Sequence, residues 1–490
     1  MKPTKSQFRR ETAAFFSVLL TILILLSSCG EKVEAPVGLP GETAGGAETA
    51  ATAEETTVIT EPPSRVPEGL KFDGREVMLL GGDAVFEHYT MATEETGDNL
   101  NDSLYHRYQK VSEQLDVSIG FLLAKASEAV SKIQATVLSG DDTYQLAIVQ
   151  RATSIAKMVG DHYLHNWLDL PYVDLNGEFW YEDAINSLRV DNFIYYTYGD
   201  IYPLSTHVMY YNKDIAEAYN LRSPHEDVLN GSWTIDRLNE LASVVPKDLN
   251  GDGVMDKNDQ YGISFSNTDT INSLMYGCGL TITQRTDDGI RLTPCDEKMV
   301  NAYNKILAIF TGDTCYFKQL NELKLTTGQV LFFTGTVHGA RTYRDAEVEF
   351  GMLPYPKFDD KQEKYVSFLN TELMCVPSVA DKELAGAVNQ LLAENSADVK
   401  TAYYEYLLKE KVARDPESAK VLDIIFDNAI NDFIISYCGG MTARTKLYTI
   451  PSTLAMAGKS DFVSSHEAVA EAAQKEIDQV IEMILSNKPA

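Results

Sequence analysis

Residues 191–216 read DNFIYYTYGDIYPLSTHVMYYNKDIA, and this stretch decides how the rest of the chain is organised. It holds six tyrosines and one phenylalanine among its 26 residues. Turn-forming residues lie at 199–203, a strand pattern follows at 207–212, and a helix pattern begins at Lys213. Since strand and helix patterns alternate on both sides, we predict that the stretch carries the chain from one lobe into a second, with tyrosines near a cleft.

The segment before this stretch alternates strands and helices. Strand patterns at 76–82, 117–122 and 144–149 are separated by helix patterns at 99–115 and 125–138. Such alternation is typical of a mainly parallel sheet covered by helices. We therefore predict an α/β fold.

Open sheets of this kind bind ligands at the carboxyl ends of their strands. Gln150 and Arg151 directly follow the third strand, so we predict that they contact a ligand. A solvated helix-start role for Arg151 is an equally open alternative.

Length and charge narrow the classes of protein. A chain of 490 residues is too long for one ordinary core, so two lobes are expected. The net charge of −29 makes a nucleic-acid partner unfavourable, because such a surface repels phosphate.

The cysteine pattern argues against a zinc or redox site, because none of the six cysteines forms a C-x-x-C pair. A disulfide between Cys295 and Cys315 stays open, since spacing alone cannot fix the pairing.

The N-terminus has the pattern of a secretory signal. Residues 2–10 are basic, residues 13–26 are an apolar run, and Ser27-Ser28-Cys29-Gly30 follows. The run is shorter than the roughly 20 residues of a transmembrane helix. The motif resembles a bacterial lipobox, which implies that Cys29 is lipidated and anchors the protein at the extracellular face of the cell membrane. The alternative is an uncleaved anchor helix.

Residues 31–69 have no aromatic residue and no hydrophobic period. This composition predicts a disordered tether. As a random coil it would span about 35 Å, which suits a domain held near a membrane.

Two motifs carry a family resemblance. Residues 209–216 read MYYNKDIA and residues 231–238 read GSWTIDRL. They resemble elements of the extracellular solute-binding proteins of ABC importers (family 1), in particular the sugar-binding group that includes maltose-binding protein. The resemblance covers essentially the whole body, from about Leu70 to Ala490.

The resemblance implies the two-lobed periplasmic-binding-protein fold of type II, with a multi-strand hinge. We expect a signal peptide at 1–28 and the lipid-anchored tether at 29–69. Lobe 1 is predicted at 70–199 plus 366–411, and lobe 2 at 200–365 plus 412–490. The chain would cross between them three times, at the opening stretch and near Tyr365 and Lys411. Later helices are predicted at 384–408 and 421–435.

The same resemblance implies a cleft site. Asn267 and Tyr276 follow a strand of the second lobe, His338 stands where the sugar-binding group has an aromatic platform, and Tyr198 and Thr206 lie in the crossing. The predicted ligand-binding set is therefore Gln150, Arg151, Tyr198, Thr206, Asn267, Tyr276 and His338. Two alternatives are open: a helix N-cap by Thr268 or Asp269, and a surface or capping role for His338.

Residues 248–259, DLNGDGVMDKND, match an EF-hand calcium loop. The predicted ligands are Asp248, Asn250, Asp252, Val254 through its carbonyl, Asp256 and Asp259, with Gly253 at the sharp turn. Position 12 is Asp259 instead of the usual glutamate, and a strand follows instead of a helix. A hairpin with solvated acids is the alternative to a structural Ca²⁺ site.

These features favour a substrate-binding lipoprotein of an ABC importer, a monomer that passes a small solute, expected to be a carbohydrate, to a membrane permease. No catalytic cofactor and no enzymatic activity are expected. The alternatives are an extracellular carbohydrate-active enzyme, which needs two suitably spaced carboxylates, and a calcium-stabilised surface adhesion or scaffold lipoprotein. No G-x-S-x-G or H-E-x-x-H motif occurs in the sequence.

Overall fold

The computed structural model describes residues 64–82, 84–150, 155–343, 347–369, 372–407, 416–439 and 441–487. These residues all lie in one contact unit, 63–490. The predicted signal peptide, Cys29, most of the tether, Arg151 and the crossing near Lys411 lie outside the described residues. Within the described ranges, no helix is long and apolar enough to cross a membrane.

The described strands follow one another in the chain as β1 (Arg75–Gly81), β2 (Val117–Leu123), β3 (Tyr144–Val149), β4 (His207–Asn212), β5 (Tyr261–Ser264), β6 (Thr283–Thr286), β7 (Gly289–Leu292), β8 (Cys315–Tyr316), β9 (Val330–Thr336), β10 (Phe350–Leu353), β11 (Ser367–Phe368), β12 (Leu373–Cys375) and β13 (Ala429–Ile430).

The described helices are α1 (Ala84–Tyr89), α2 (Asn99–Leu115), α3 (Ala126–Ser139), α4 (Ile155–Gly160), α5 (Glu182–Leu188), α6 (Lys213–Ala218), α7 (Pro224–Leu229), α8 (Ile235–Ser243), α9 (Thr268–Gly277), α10 (Glu297–Ile309), α11 (Lys382–Glu394), α12 (Ala397–Leu407), α13 (Pro416–Asp427), α14 (Phe433–Tyr437), α15 (Thr442–Met456) and α16 (Phe462–Leu485). Short 3₁₀ helices cover Trp167–Asp169, Leu325–Thr327 and Val337–Tyr343.

The first sheet has the strand order β12-β3-β1-β2. Strand β1 runs parallel to β2 and β3, and β12 runs antiparallel to β3. All six residues of β3 are buried, which is typical of a central strand covered on both faces. The predicted parallel sheet with covering helices is confirmed for this part of the chain.

Helix α2 shows why the local prediction succeeds. Its buried residues include Leu104, Tyr108 and Val111, which fall on one face at helical spacing. Asp98 caps the amino end by accepting hydrogen bonds from two backbone amides, and Asp116 ends the helix in the left-handed conformation, at φ 51°. The helix begins and ends at the predicted residues because all its signals are local.

The second sheet has the strand order β10-β4-β9-β5-β8. Strand β4 is antiparallel to both β10 and β9, whereas β5 is parallel to β9 and β8. This sheet is therefore mixed, which the prediction of mainly parallel sheets did not anticipate. The antiparallel pairs on both sides of β4, the first strand of this sheet, make the sheet mixed.

The crossing segments pair with one another and form the hinge, which we define as the described residues within 197–206, 367–374 and 429–432. Thr197 pairs with Met374 and Thr206 pairs with Leu369 in antiparallel bridges. Strand β13 lies parallel to β11. Backbone hydrogen bonds thus connect all three segments, while the residue bounds of the lobes stay a prediction.

One helix prediction needs correction. The segment 421–435 is not one helix: α13 ends at Asp427, and β13 and α14 follow. Residues 429–430 are not helical because they pair with β11: the amide of Leu369 donates to the carbonyl of Ile430 at 2.9 Å. The helical region predicted at 384–408 is confirmed as far as the structure describes it, since α11 and α12 fill it and are separated at Asn395 and Ser396.

Candidate functional site

Two of the predicted ligand-contacting residues meet at one edge of the second sheet. Because β4 and β9 are antiparallel, the start of β4 and the end of β9 lie side by side. The amide of Val337 donates to the carbonyl of Thr206 at 3.0 Å, and the amide of His338 lies 3.5 Å from the hydroxyl of Ser205. Thr206 and His338 are therefore neighbours, although 132 positions separate them in the sequence.

Asn267 lies at the same edge, after β5, which is parallel to β9. It is exposed and caps α9, since its side-chain oxygen accepts from the amide of Thr270 at 3.1 Å. The N-cap is thus Asn267, and neither Thr268 nor Asp269 fills that position. Its side-chain oxygen is committed to the helix, but the residue remains accessible to solvent.

Thr206 has an unmet hydrogen-bonding group. The residue is fully buried, and within the described part of the chain its hydroxyl oxygen has no hydrogen-bond partner. Most buried polar atoms in native proteins are paired, so such a hydroxyl needs an explanation. A bound solute that reaches this edge of the sheet would supply the missing partner.

Tyr198 and Tyr276 occupy the hinge instead. The hydroxyl of Tyr198, which is 1% exposed, accepts a hydrogen bond from the amide of Asn431 at 3.1 Å. The Tyr276 ring stacks on Phe368 at 4.1 Å between centroids, and its hydroxyl donates to Asp432 at 3.2 Å. In this structure both rings pack inside the protein and present no free face to a solute.

Asp432 organises the hinge, and the sequence analysis did not identify it. Its buried carboxylate accepts hydrogen bonds from the amide of Ile282 at 2.6 Å, from the amide and the hydroxyl of Thr283, and from Tyr276. Burial raises the pKa of this carboxyl, and the donated hydrogen bonds oppose the rise. The available signal was an acid within an otherwise apolar run, since Asp432 is followed by Phe433, Ile434 and Ile435.

His338, on the second lobe, contacts a residue of the first lobe. Its ring stacks on Tyr89 of α1, which follows the first strand of the first sheet, at 4.5 Å and 19° between planes. Tyr403 of α12 meets the same imidazole edge-on at 5.9 Å. Burial lowers the pKa of His338 to about 3, and its Nε2 is buried without a partner among the described residues. Sequence reasoning missed Tyr89 and Tyr403, because no local pattern marks a ring that contacts another lobe.

The other predicted residues on the first lobe can be placed only in part. Gln150 is partly buried and directly follows β3, as expected. Arg151 lies outside the described residues, so its role stays a prediction. The described structure therefore brings together Thr206, Asn267 and His338, and it places Tyr198 and Tyr276 in the hinge.

A cavity of about 450 Å³ lies beside the hinge, and none of the predicted ligand-contacting residues lines it. Its lining is aromatic and acidic and includes Tyr181, Asp200, Lys400, Tyr404, Phe426 and Asp427. Lys400 pairs with Asp200 at 3.2 Å, and Tyr181 donates to the same carboxylate at 2.5 Å. Lys400, Asp200 and Tyr181 are therefore partners of one another in the wall of the cavity.

In the Asp248 loop (residues 248–259), side-chain oxygens accept hydrogen bonds from backbone amides of the same loop. The Asp248 carboxylate accepts from the amides of Gly251 and Gly253 at 2.6 and 2.8 Å, and both glycines have positive φ. The Asp259 carboxylate accepts from the amides of Asp256 and Leu249, and these bonds lower its pKa. In the described chain no group of three His, Cys, Asp or Glu residues is close enough to hold a metal ion.

The remaining oxygens of the loop also bind backbone amides. Asn250 accepts from the amide of Asp252, and Asp252 accepts from the amide of Val254. In this conformation these side-chain oxygens are therefore engaged by the backbone of the loop itself. Elsewhere, Cys295 and Cys315 are free thiols, so the bridge that their spacing left open is not formed.

A family model supports the sequence resemblance. Residues 105–407 match the model described as bacterial extracellular solute-binding protein. This range extends from within α2 to the end of α12 and includes the whole second sheet and three of the four strands of the first, all but β1. No curated protein matches the chain.

Solved structures share the fold. An ABC substrate-binding protein from Listeria monocytogenes in complex with cycloalternan has 12% identity and a TM-score of 0.55, and the match covers 83% of this chain and 100% of that one. A cyclo/maltodextrin-binding protein complexed with maltotetraose has 13% identity and a TM-score of 0.56, with 86% and 100% covered. The apo form of RafE from Streptococcus pneumoniae has 11% identity and a TM-score of 0.53, with 82% and 99% covered. These similarities confirm the predicted two-lobed type II fold.

Proposed function

The chain belongs to the family of bacterial extracellular solute-binding proteins, and from this membership we propose that it is the substrate-binding lipoprotein of an ABC importer. It captures a carbohydrate between its two lobes and delivers it to the permease. The observation that carries the proposal is the edge of the second sheet where Thr206, Asn267 and His338 meet and where His338 faces Tyr89 of the first lobe.

The chemistry of this edge favours a neutral, hydroxyl-rich solute. A buried hydroxyl and an exposed amide provide hydrogen-bonding groups, and the rings of Tyr89 and His338, which stack on each other here, would offer flat apolar faces once the lobes separate. Sugars need both, because their hydroxyls require partners while their C–H faces pack on rings. Cycloalternan and maltotetraose in the similar structures are carbohydrates, which supports the same class here.

The hinge provides the motion that capture requires. Three paired segments connect the lobes through backbone hydrogen bonds, and such a hinge allows two rigid bodies to close around a ligand. Closure would bury the solute between Thr206 and the first lobe. The closed form would then present one combined surface to the permease.

A thermal-shift screen of the monomeric protein tests the proposal, with neutral oligosaccharides compared against amino acids and peptides. A solute at 100 times its dissociation constant should stabilise the fold by about 2.7 kcal/mol. Chromatography of the solute after incubation must recover it intact. Appearance of a hydrolysis product would instead favour the extracellular carbohydrate-active enzyme, and stabilisation by peptides alone would exclude a carbohydrate importer.

The lipid anchor forms part of the same proposal. Full-length protein expressed in a bacterium should partition with the membrane fraction, and Cys29→Ser should release it. Equal membrane association of both forms would favour the uncleaved anchor helix.

We also propose that the Asp248 loop binds Ca²⁺ and thereby stabilises the second lobe. The six predicted ligands supply only oxygen donors, which is the chemistry that calcium prefers. Millimolar Ca²⁺ should raise the melting temperature above its value in EDTA, and Asp248→Asn combined with Asp252→Asn should remove the difference. An unchanged melting temperature in EDTA would leave the loop as a hairpin of solvated acids and remove the basis for a calcium-stabilised adhesion protein.

A further inference from the structure

The segment that carries His338 packs on a buried tyrosine of the neighbouring strand. His338 lies on the 3₁₀ helix Val337–Tyr343, here called the His338 turn, which directly follows β9. Tyr210 lies on β4, which pairs antiparallel with β9, and its side chain is fully buried. The His338 turn is therefore supported by a side chain from another strand of the second sheet.

The hydroxyl of Tyr210 holds the residue from which the His338 turn starts. It donates a hydrogen bond to the carbonyl of Thr336, the last residue of β9, at 2.5 Å. The side-chain oxygen of Thr336 in turn accepts from the amide of Gly339 at 3.2 Å. Burial raises the pKa of Tyr210 well above its usual value, so the phenol stays protonated and remains a donor.

The ring of Tyr210 also contacts the other end of the turn. Tyr343, the last of its seven residues, meets this ring edge-on with 5.1 Å between centroids. Phe350 of β10 meets it edge-on at 5.7 Å. Such aromatic pairs are favourable contacts, so one side chain supports both ends of the His338 turn.

Two glycines make room for this tyrosine. Residues 335–339 read GTVHG, so His338 lies between them. A Cβ on Gly335 would lie 2.9 Å from Cε2 of Tyr210, and a Cβ on Gly339 would lie 3.3 Å from its hydroxyl oxygen. The first distance is shorter than a normal contact between carbon atoms, so a larger residue at 335 would displace the ring.

We propose that Tyr210 is a positioning residue for solute binding, because its hydroxyl fixes the His338 turn and thereby the place of His338 beside Thr206. The inference rests on the proposed function in one respect, that the edge formed by Thr206 and His338 binds the solute. Tyr210 is fully buried and touches no solute itself. It belongs to the family motif at 209–216, in which the sequence analysis gave it no role.

The Tyr210 hydroxyl complements the contacts that the turn makes with the crossing. The amide of Val337 donates to the carbonyl of Thr206 at 3.0 Å, and the amide of His338 lies 3.5 Å from the hydroxyl of Ser205. These contacts attach the turn to the start of β4, whereas Tyr210 attaches it to the middle of that strand. A group that is fixed before binding loses less conformational entropy when the solute arrives, so the position of His338 contributes to affinity.

Hydrogen exchange of the solute-free protein tests the support of the turn. Tyr210→Phe removes the hydroxyl and keeps the ring, so the packing on Gly335 and Tyr343 is retained. Amides of residues 337–343 should exchange about fivefold faster than in the wild type, while those of β4 and β9 keep their wild-type rates. Unchanged exchange in the turn would overturn the proposal.

Tyr211→Phe is the matched control. Tyr211 follows Tyr210 on β4 and therefore points to the opposite face of the sheet. It is also buried, and its hydroxyl lies 3.4 Å from Nδ1 of His225. The variant removes the same atom, and exchange at 337–343 should stay at the wild-type rate. Equal acceleration by both variants would contradict a specific role of Tyr210.

Calorimetry with maltotetraose separates positioning from a purely structural role. Affinity should fall about tenfold in Tyr210→Phe and change less than about twofold in Tyr211→Phe. In a His338→Ala background, Tyr210→Phe should lower the affinity no further, because the residue that it positions is gone. Additive losses would show that Tyr210 acts on another part of the site and would overturn the proposal.

The two experiments fail independently of each other. A wild-type protein that does not bind maltotetraose would count against the proposed carbohydrate ligand. The exchange measurement contains no solute, so it would then decide by itself whether Tyr210 holds the His338 turn. Circular dichroism confirms that each variant remains folded.

Discussion

Asp432 and His338 are both buried titratable groups at places where the lobes meet, but their surroundings are opposite. The Asp432 carboxylate is surrounded by donors from Tyr276, Ile282 and Thr283. The imidazole of His338 contacts mainly other rings, and its Nε2 lacks a partner in the described structure. A buried carboxylate that accepts several hydrogen bonds is held by directional contacts, whereas the His338 ring is held by aromatic packing and leaves a buried nitrogen without a described partner. The comparison distinguishes a hinge that hydrogen bonds fix from a ring contact that packing alone supports.

The largest expected effect is at the hinge. Asp432→Asn replaces an acceptor oxygen with an NH₂ group that faces existing donors, so at least one buried hydrogen bond is lost and one donor is left without a partner. The free energy of unfolding should fall by about 3 kcal/mol, as measured by urea denaturation.

Asp478→Asn is the matched control for this change. Asp478 pairs with Arg291 at 3.0 Å, but 47% of its side chain is exposed, so its loss should cost less than about 1 kcal/mol. Equal destabilisation by the two variants would contradict the special role of Asp432.

A smaller effect is expected at Tyr198. Tyr198→Phe removes the hydroxyl that accepts from Asn431 and should cost about 1 kcal/mol of unfolding free energy. Affinity for solute should change little if Tyr198 only packs in the hinge. A large loss of affinity with unchanged stability would restore Tyr198 as a solute-contacting residue, which is how the sequence analysis placed it.

The smallest effect on stability is expected at Thr206. Thr206→Val removes a buried hydroxyl that has no partner among the described residues, so stability should change by less than about 0.5 kcal/mol. Affinity for solute should fall about tenfold, because a hydrogen bond in a buried site is lost.

Thr197→Val is the control for Thr206. Thr197 is equally buried and its hydroxyl also lacks a described partner, but it pairs with Met374 inside the hinge. Calorimetry should show unchanged affinity for Thr197→Val. A loss of affinity in both variants would mean that the crossing as a whole, and not Thr206, controls binding.

Several elements could be predicted from local sequence because their determinants are local. Helix α2 and strand β3 have the predicted bounds, since hydrophobic period, capping residues and a turn all lie within a few residues of each other. The helix predicted at 421–435 was wrong because pairing with β11, a strand distant in sequence, outweighed its helical pattern. Tertiary hydrogen bonds override local propensity in such cases.

The candidate site was predictable only in part. The sequence identified Thr206, Asn267 and His338 through strand ends and family resemblance, and the structure places them at one edge. It did not identify Tyr89, Tyr403 or Asp432, whose partners lie far away in the chain. For those residues the deciding contact is a property of how the lobes meet.

The sequence alone determined the kind of molecule: an acidic two-lobed α/β protein with the motifs of a secreted, lipid-anchored solute-binding protein. Composition, hydrophobic period and short motifs are sufficient for this, because each acts within a few residues. Only the tertiary structure decided where the tyrosines of 191–216 pack. Tyr198 is packed in the hinge by Asn431, whereas the aromatic contact with the second lobe comes from Tyr89, more than a hundred residues earlier. Burial and ring stacking depend on where distant segments meet, and no local pattern records that.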